Sequence, residues 1–215
     1  DGGENWDVFT HSEGALQFRD IHAFDESNII LMSAGPGESS RIYLFDAHSA
    51  EFTKAYVMPH PEGFLNTIEF WDDQIGLAYG DSFNGELFIL KTIDGGRSWG
   101  RVDPKRFPAA GDGEGGVAAS GTCISTQPDG HAWIATGAGG TSRILYTPDF
   151  GDTWTEYPNP IIKGKAAGVT SINMLNLKTG LIVEGDLANE DDYTDNVATT
   201  MDGGKTWQLT DRPTT

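Results

Sequence analysis

The sequence predicts an all-β fold: a β-propeller of four-stranded antiparallel blades with four complete blades plus one N-terminal strand, which makes it a partial propeller. Three observations predict it. One short motif recurs at blade-length spacing. Each interval between copies divides into four short runs of alternating apolar residues. No long stretch carries a 3.6-residue apolar period, so almost no helix is expected. Composition points the same way: 28 Gly, 11 Phe and 6 Trp in 215 residues favour strands joined by tight turns.

The motif comes first because it sets the frame. Thr92, Asp94, Gly96, Ser98 and Trp99 spell Thr-x-Asp-x-Gly-x-Ser/Thr-Trp. So do Thr147, Asp149, Gly151, Thr153 and Trp154, and again Thr200, Asp202, Gly204, Thr206 and Trp207. A copy without its head opens the chain at Asp1, Gly3 and Trp6. A degenerate copy keeps Asp46, lacks the glycine, and places its aromatic, Phe52, one position late. The closing aromatics fall at 6, 52, 99, 154 and 207, which is 46, 47, 55 and 53 residues apart. The chemistry of the motif is local. The aspartate accepts hydrogen bonds from backbone N–H groups across a tight turn. The glycine supplies a positive φ, and the aromatic packs between sheets. These residues therefore staple the hairpin between a blade's third and fourth strands, and they are read as structural.

At these residues the chain resembles the BNR/Asp-box repeat family of β-propellers, found in sialidases, sortilin-type receptors and photosystem II assembly-factor-like propellers. Further segments resemble bacterial BNR-repeat proteins called oxidoreductase or glycosyl hydrolase-like: residues 18–24, 78–81, 113–122 and 195–198. The resemblance covers essentially the whole chain. It implies a propeller of six or seven blades, and a periplasmic or secreted location.

The strands follow in order. The first blade takes 18–24, 28–34, 41–45 and 52–58, and the second 66–71, 75–80, 86–92 and 98–102. The third takes 121–127, 132–137, 142–147 and 153–157, and the fourth 170–176, 180–184, 196–200 and 206–210. Turn signals separate them, such as Pro128-Asp129-Gly130 and Lys178-Thr179-Gly180. The single domain, 1–215, then divides into 1–10 as the last strand of a preceding blade, and blades over 11–60, 61–104, 105–160 and 161–215. Four blades and a leftover strand predict a fragment, an open arc whose uncovered blade faces pair in a homo-oligomer or close into a tight ring.

The formal net charge of −18 sets the surface. It repels phosphate backbones and anionic membranes, so no nucleic-acid partner is expected. There is no stretch long and apolar enough to span a membrane. A single cysteine, Cys123, excludes an intrachain disulfide and reads as a small core residue. The five histidines, at 11, 22, 48, 60 and 131, have no partners at ligand spacing, so no metal site and no cofactor is expected. Gly111, Gly113 and Gly116 fit G-x-G-x-x-G formally. No strand leads through them into a helix, and Asp112 and Glu114 would repel a pyrophosphate.

Function is expected on the loop-rich face opposite the repeat turns, where the first strands line a channel. The candidate ligand-binding residues there are Arg19, Asp20, Asp81, Glu114, Thr122 and Asp186, with Glu69, Ser120 and Glu184 nearby. The carboxylates suit a cation, a sugar or acid–base work, and are otherwise solvated loop acids. Arg19 and Asp20 read equally as an ion pair locking adjacent blades. The acidic run 186–195 lacks the spacing of a Ca²⁺-binding EF-hand loop. The first expectation is a binding or assembly scaffold for a protein or carbohydrate ligand. The alternatives are a sialidase-like glycoside hydrolase and a fragment without activity. The resemblance to sialidases asks for three arginines around a carboxylate, and only Arg19 is well placed for the channel.

Overall fold

A computed structural model of the chain describes residues 3–11, 14–118, 121–164, 167–186, 188–189 and 194–210. Its strands form four antiparallel sheets of four, each in simple sequential order. The first blade is β1 (Gln17–Asp25), β2 (Asn28–Ala34), β3 (Arg41–Asp46) and β4 (Glu51–Val57). The second is β5 (Leu65–Phe70), β6 (Gly76–Phe83), β7 (Glu86–Thr92) and β8 (Gly100–Arg101). The third is β9 (Ile124–Gln127), β10 (His131–Ala135), β11 (Arg143–Thr147) and β12 (Thr155–Pro158). The fourth is β13 (Ala167–Met174), β14 (Gly180–Asp186), β15 (Val197–Thr200) and β16 (Gln208–Leu209). Two single-turn 3-10 helices, Gly37–Ser39 and Pro104–Arg106, are the described helical segments. None of them is long and apolar enough to cross a membrane.

Period-2 alternation gives each blade two faces, and three apolar cores result. Ile30, Met32 and Ile42 of blade one meet Ile68, Phe88, Leu90 and Trp99 of blade two. Leu77, Tyr79 and Ile89 of blade two meet Ile124, Ile134 and Leu145 of blade three. Trp133 and Ile144 of blade three meet Val169, Ile172, Ile182 and Trp207 of blade four. The face of blade one turned away from blade two is open, with Phe18 38% and Ile21 62% exposed. It forms a groove of about 450 Å³ lined by Phe9, Ile29, Leu31, Phe45 and Phe52 among others.

The repeat turns are built alike. Asp94 Oδ1 accepts from Ser98 N (2.9 Å) and from Thr92 Oγ1 (2.8 Å), and Oδ2 accepts from Ser98 Oγ (2.6 Å). The Thr92 hydroxyl in turn accepts from Gly96 N (3.0 Å), and Trp99 Nε1 donates to Gly96 O (3.0 Å). The same bonds recur around Asp149 and Asp202. The leading threonine, which the sequence reading left without a role, is thus the hub of the turn. In the degenerate copy Asp46 still accepts from His48 N (2.8 Å), and Ala50 takes the positive φ of 58°. The opening copy keeps the bond from Trp6 Nε1 to Gly3 O (2.9 Å), with Trp6 84% exposed. Asp1 lies outside the described residues.

Residues 6–10, expected as a strand, join none of the four sheets. Phe9 instead packs edge-on to Phe45, and His11 edge-on to Tyr43 and Phe52. The segment lays its rings over the apolar face of blade one that is open among the described residues. The third blade's first strand also begins late, at Ile124, because Gly121 turns at φ 60° just before it.

Candidate functional site

The inner strands β1, β5 and β13 carry a one-residue irregularity near their starts, at Arg19, Asn66 and Thr170. Such a bulge re-aims the side chains around it. In β1 it separates two neighbours that could have paired. Asp20 turns to blade two, where its carboxylate accepts from Ile68 N (2.7 Å) and Thr67 Oγ1 (3.0 Å), and Ile21 N donates to it as well (2.8 Å). Arg19 turns outward, is exposed, and donates to Gln17 Oε1 (2.7 Å). Asp20 thus ties blade one to blade two without Arg19, beside the bond from Leu65 N to Ser40 Oγ (2.9 Å), and the Arg19–Asp20 ion pair weighed from sequence does not form. Burial pushes the Asp20 carboxyl above its ordinary value despite these bonds. Glu69, one residue beyond Ile68, is raised for the same reason, with the Asp20 charge adding to it.

A second group of candidates converges where blades two and three meet a strap, residues 109–118. Glu114 is fully buried, and its carboxylate receives Arg143 Nε and Nη2 in a two-pronged bond, both at 2.8 Å, plus Gly111 N (2.8 Å). Arg143 also pairs with Glu156 and donates to Ala109 O (2.8 Å). Asp81 accepts from Asn66 Nδ2 (2.7 Å) and Gly116 N (3.2 Å), and burial raises its pKa. Gly115 pairs with Gly137 across the seam. A Cβ on Gly115 would sit 2.3 Å from Asp81 Oδ1, and one on Gly111 would sit 2.1 Å from Thr141 Oγ1. The Gly-rich run that formally matched a dinucleotide loop is glycine for close approach.

Tyr79 lies beneath this group. Its hydroxyl is buried and, among the described side chains, is the one buried polar atom without a hydrogen-bond partner. Burial and the nearby Glu114 and Asp81 charges push its pKa well above 10. The sequence places Tyr79 in the strand 75–80 and in the resembling segment 78–81, and assigns it no role of its own. The pairing of Arg143 with Glu114 is not visible in the sequence, because a 29-residue separation leaves no periodic signal.

The remaining candidates stand apart. Thr122 is exposed, and its carbonyl accepts from Ile172 N (2.9 Å), tying blade three to blade four. Asp186 ends β14 and accepts from Ala188 N (2.8 Å), a local turn bond. Ser120 and half of the acidic run 186–195, Glu190, Asp191 and Asp192 among it, fall outside the described residues. Among the described residues no three His, Cys, Asp or Glu side chains are placed to hold a metal ion. Two clefts open on this face. One, of about 640 Å³, is polar and lined by Glu62, Ser82, Asn84 and Asp112 among others. The other, of about 300 Å³, lies beside Arg19.

No family model matches the chain, and no curated protein matches it in sequence. Solved structures do resemble it. A protein of unknown function from Dyadobacter fermentans has a TM-score of 0.58 at 13% identity, covering 90% of this chain and 67% of that one. YCF48 bound to a D1 peptide gives 0.49 at 20% identity, covering 67% of this chain and 38% of that one. The NanB sialidase from Streptococcus pneumoniae gives 0.45 at 11% identity, covering 82% of this chain and 28% of that one. The chain thus spans well under half the length of the last two. At such identities the likeness speaks to the fold alone, and that fold is the β-propeller.

Proposed function

We propose that the chain is an Asp-box propeller of the BNR type that works as a binding scaffold, presenting its loop-rich channel face to a protein or carbohydrate ligand. One observation carries the reading. Of the channel-side acids that could have served acid–base chemistry, Asp20 and Glu114 spend both oxygens on backbone amides, Thr67 or Arg143, and Asp81 Oδ1 takes Asn66 and the Gly116 amide. A general acid needs a proton within reach of substrate, and a nucleophile needs an uncommitted oxygen. What this face leaves open is two clefts and exposed side chains such as Glu62, Asp112 and Arg19. Concave polar surface beside rigid strands is what recognition uses.

The test has two arms. Fluorogenic glycosides, including a sialoside, are expected to show no turnover above the uncatalysed rate. A peptide and glycan array probed with the whole chain is expected to give hits that weaken when Glu62 and Asp112 are both changed to Ala. Glycoside turnover that disappears in Glu114→Gln, while that variant stays folded by circular dichroism, would replace the scaffold reading with the hydrolase one.

A further inference from the structure

We infer that two copies of this chain pack head to tail, blade four of each on the open face of the other's blade one, and close into one ring of eight blades. The surfaces involved lie at the two ends of the arc, apart from the channel face. Exposed apolar surface is segregated along the molecule. Of the eleven exposed large apolar side chains described, five lie on blade one or the segment before it, five on blade four, and one, Ile93, between β7 and β8. Scattered singly they would need no cause, but gathered at two ends they mark contact surfaces. Each end repeats one side of a seam that the fold already makes. On blade one's open face the cross-strand row Ile21, Leu31 and Tyr43 stands where blade two has Ile68, Ala78 and Leu90, the row it turns to blade one. On blade four, Ile172, Ile182 and Ala198 face blade three, so alternation turns Ser171, Val183 and Val197 to the open side. They stand where blade two has Thr67, Tyr79 and Ile89, the row it turns to blade three.

The two ends are therefore unlike each other and complementary, as the two sides of every internal seam are. Neither open row holds a charged residue, on a chain with 32 acids. Phe9 and His11 lie over the outer part of blade one's face, at Phe45 and Phe52, while Ile21 is exposed in the groove it shares with Ile29 and Leu31. Blade four suits that division, because its outermost strand β16 has two residues and its outer part is thin. A contact between unlike surfaces propagates until it closes. Two copies bring eight blades, the upper end of the ~4–8 that propellers hold, and a third copy would exceed it. Each copy then gives one head and one tail, and no apolar end is left over. The copies repel through a net charge of −18 each, so association rests on apolar burial and tightens when salt screens that charge.

The experiment is sedimentation equilibrium of the full chain over a dilution series through the micromolar range, with a variant at each end. The parent is expected to pass from one-chain to two-chain mass, with nothing larger, and to do so at lower concentration in high sodium chloride. Ile21→Lys and Leu181→Lys each change a side chain exposed in the single copy, so both should keep the parent's circular dichroism spectrum. Each makes the net charge less negative, yet each should weaken association about 100-fold by burying an ammonium without a partner. An equimolar mixture of the two should regain a two-chain species, weaker than the parent's, because one intact head still meets one intact tail. Two-chain mass retained by either variant alone overturns the head-to-tail contact, since an end is then pairing with its own kind. So does a mixture that stays at one-chain mass. A parent that stays at one-chain mass, or that grows past two chains, overturns the ring. In the dilute single copy the end blades have one neighbour each; concentrating the chain should slow hydrogen exchange in β2 and β14 together, and exchange independent of concentration overturns the contact.

Discussion

Asp20, Asp81, Glu69 and Glu114 are four acids near one channel, and their surroundings give them different energetics. Glu114 is fully buried and held by both prongs of Arg143, so removing its charge leaves the half-buried guanidinium with Glu156 as its described counter-charge. Glu114→Gln is expected to destabilise the fold by about 3 kcal/mol, measured by urea unfolding. Tyr79 is the opposite case. Its buried hydroxyl has no partner, so Tyr79→Phe removes a desolvated group at no loss of bonding. That variant should match the parent or exceed it by up to about 1 kcal/mol, and a clear loss of melting temperature would mean the hydroxyl is bonded after all. For Asp20, Asp81 and Glu69, burial raises the folded-state pKa above the ordinary 3.8 or 4.5. The folded state then holds these protons longer than the unfolded chain. Their contribution is full below the ordinary value and is lost as pH rises through the raised one. Urea unfolding of Asp81→Asn beside the parent should therefore show the parent losing ground between pH 4 and pH 7.

The repeat turn is the element that the sequence states most fully. In the three full copies its Asp accepts a backbone N–H bond, its Gly takes a positive φ, and its Trp joins or packs against an apolar core. The threonine was legible as a letter of the motif and not as a role, since nothing local shows that one hydroxyl serves both Asp149 and Gly151. Thr147 is fully buried, so Thr147→Val leaves the Gly151 amide without its acceptor. A loss of about 1–2 kcal/mol in urea unfolding is expected, as for a lost helix cap. The Asp149 carboxyl behaves oppositely to Asp81. Burial pushes it up, but the bonds from Thr153, Thr147 and Asp152 outweigh this and hold it below 3.8. Its stabilisation is present above 3.8 and fades as pH falls through the depressed value. The strap at 109–118 was not legible at all. It depends on partners at Asp81, Gly137 and Arg143, drawn from two blades, and its glycines signal only that something comes close. The candidate acids were found by type and face, while the long-range bonds that commit them join residues 15 to 48 apart.

Across the whole molecule, stability should follow the number of neighbours each blade has. Blades two and three carry a core on both faces, whereas blades one and four are each held by one. In a stack of repeats the free energy is close to a sum of blade terms and nearest-neighbour interfaces, so an end blade opens by breaking one interface and a middle blade only by breaking two. Blade four is the weaker end, because its outer strands are short, β15 with four residues and β16 with two. Blade one gains some cover from Phe9 and His11 lying on its open face. Native-state hydrogen exchange should rank the amides accordingly. Those of β6, β7, β10 and β11 are expected to be slowest, those of β2 and β3 intermediate, and those of β15 fastest by ten-fold or more. Phe9→Ala should speed exchange in β2 and β3 and leave β10 and β11 unchanged, because only the first blade loses a neighbour. If all four blades exchange at one rate, the chain unfolds as a single cooperative unit and the nearest-neighbour account is wrong.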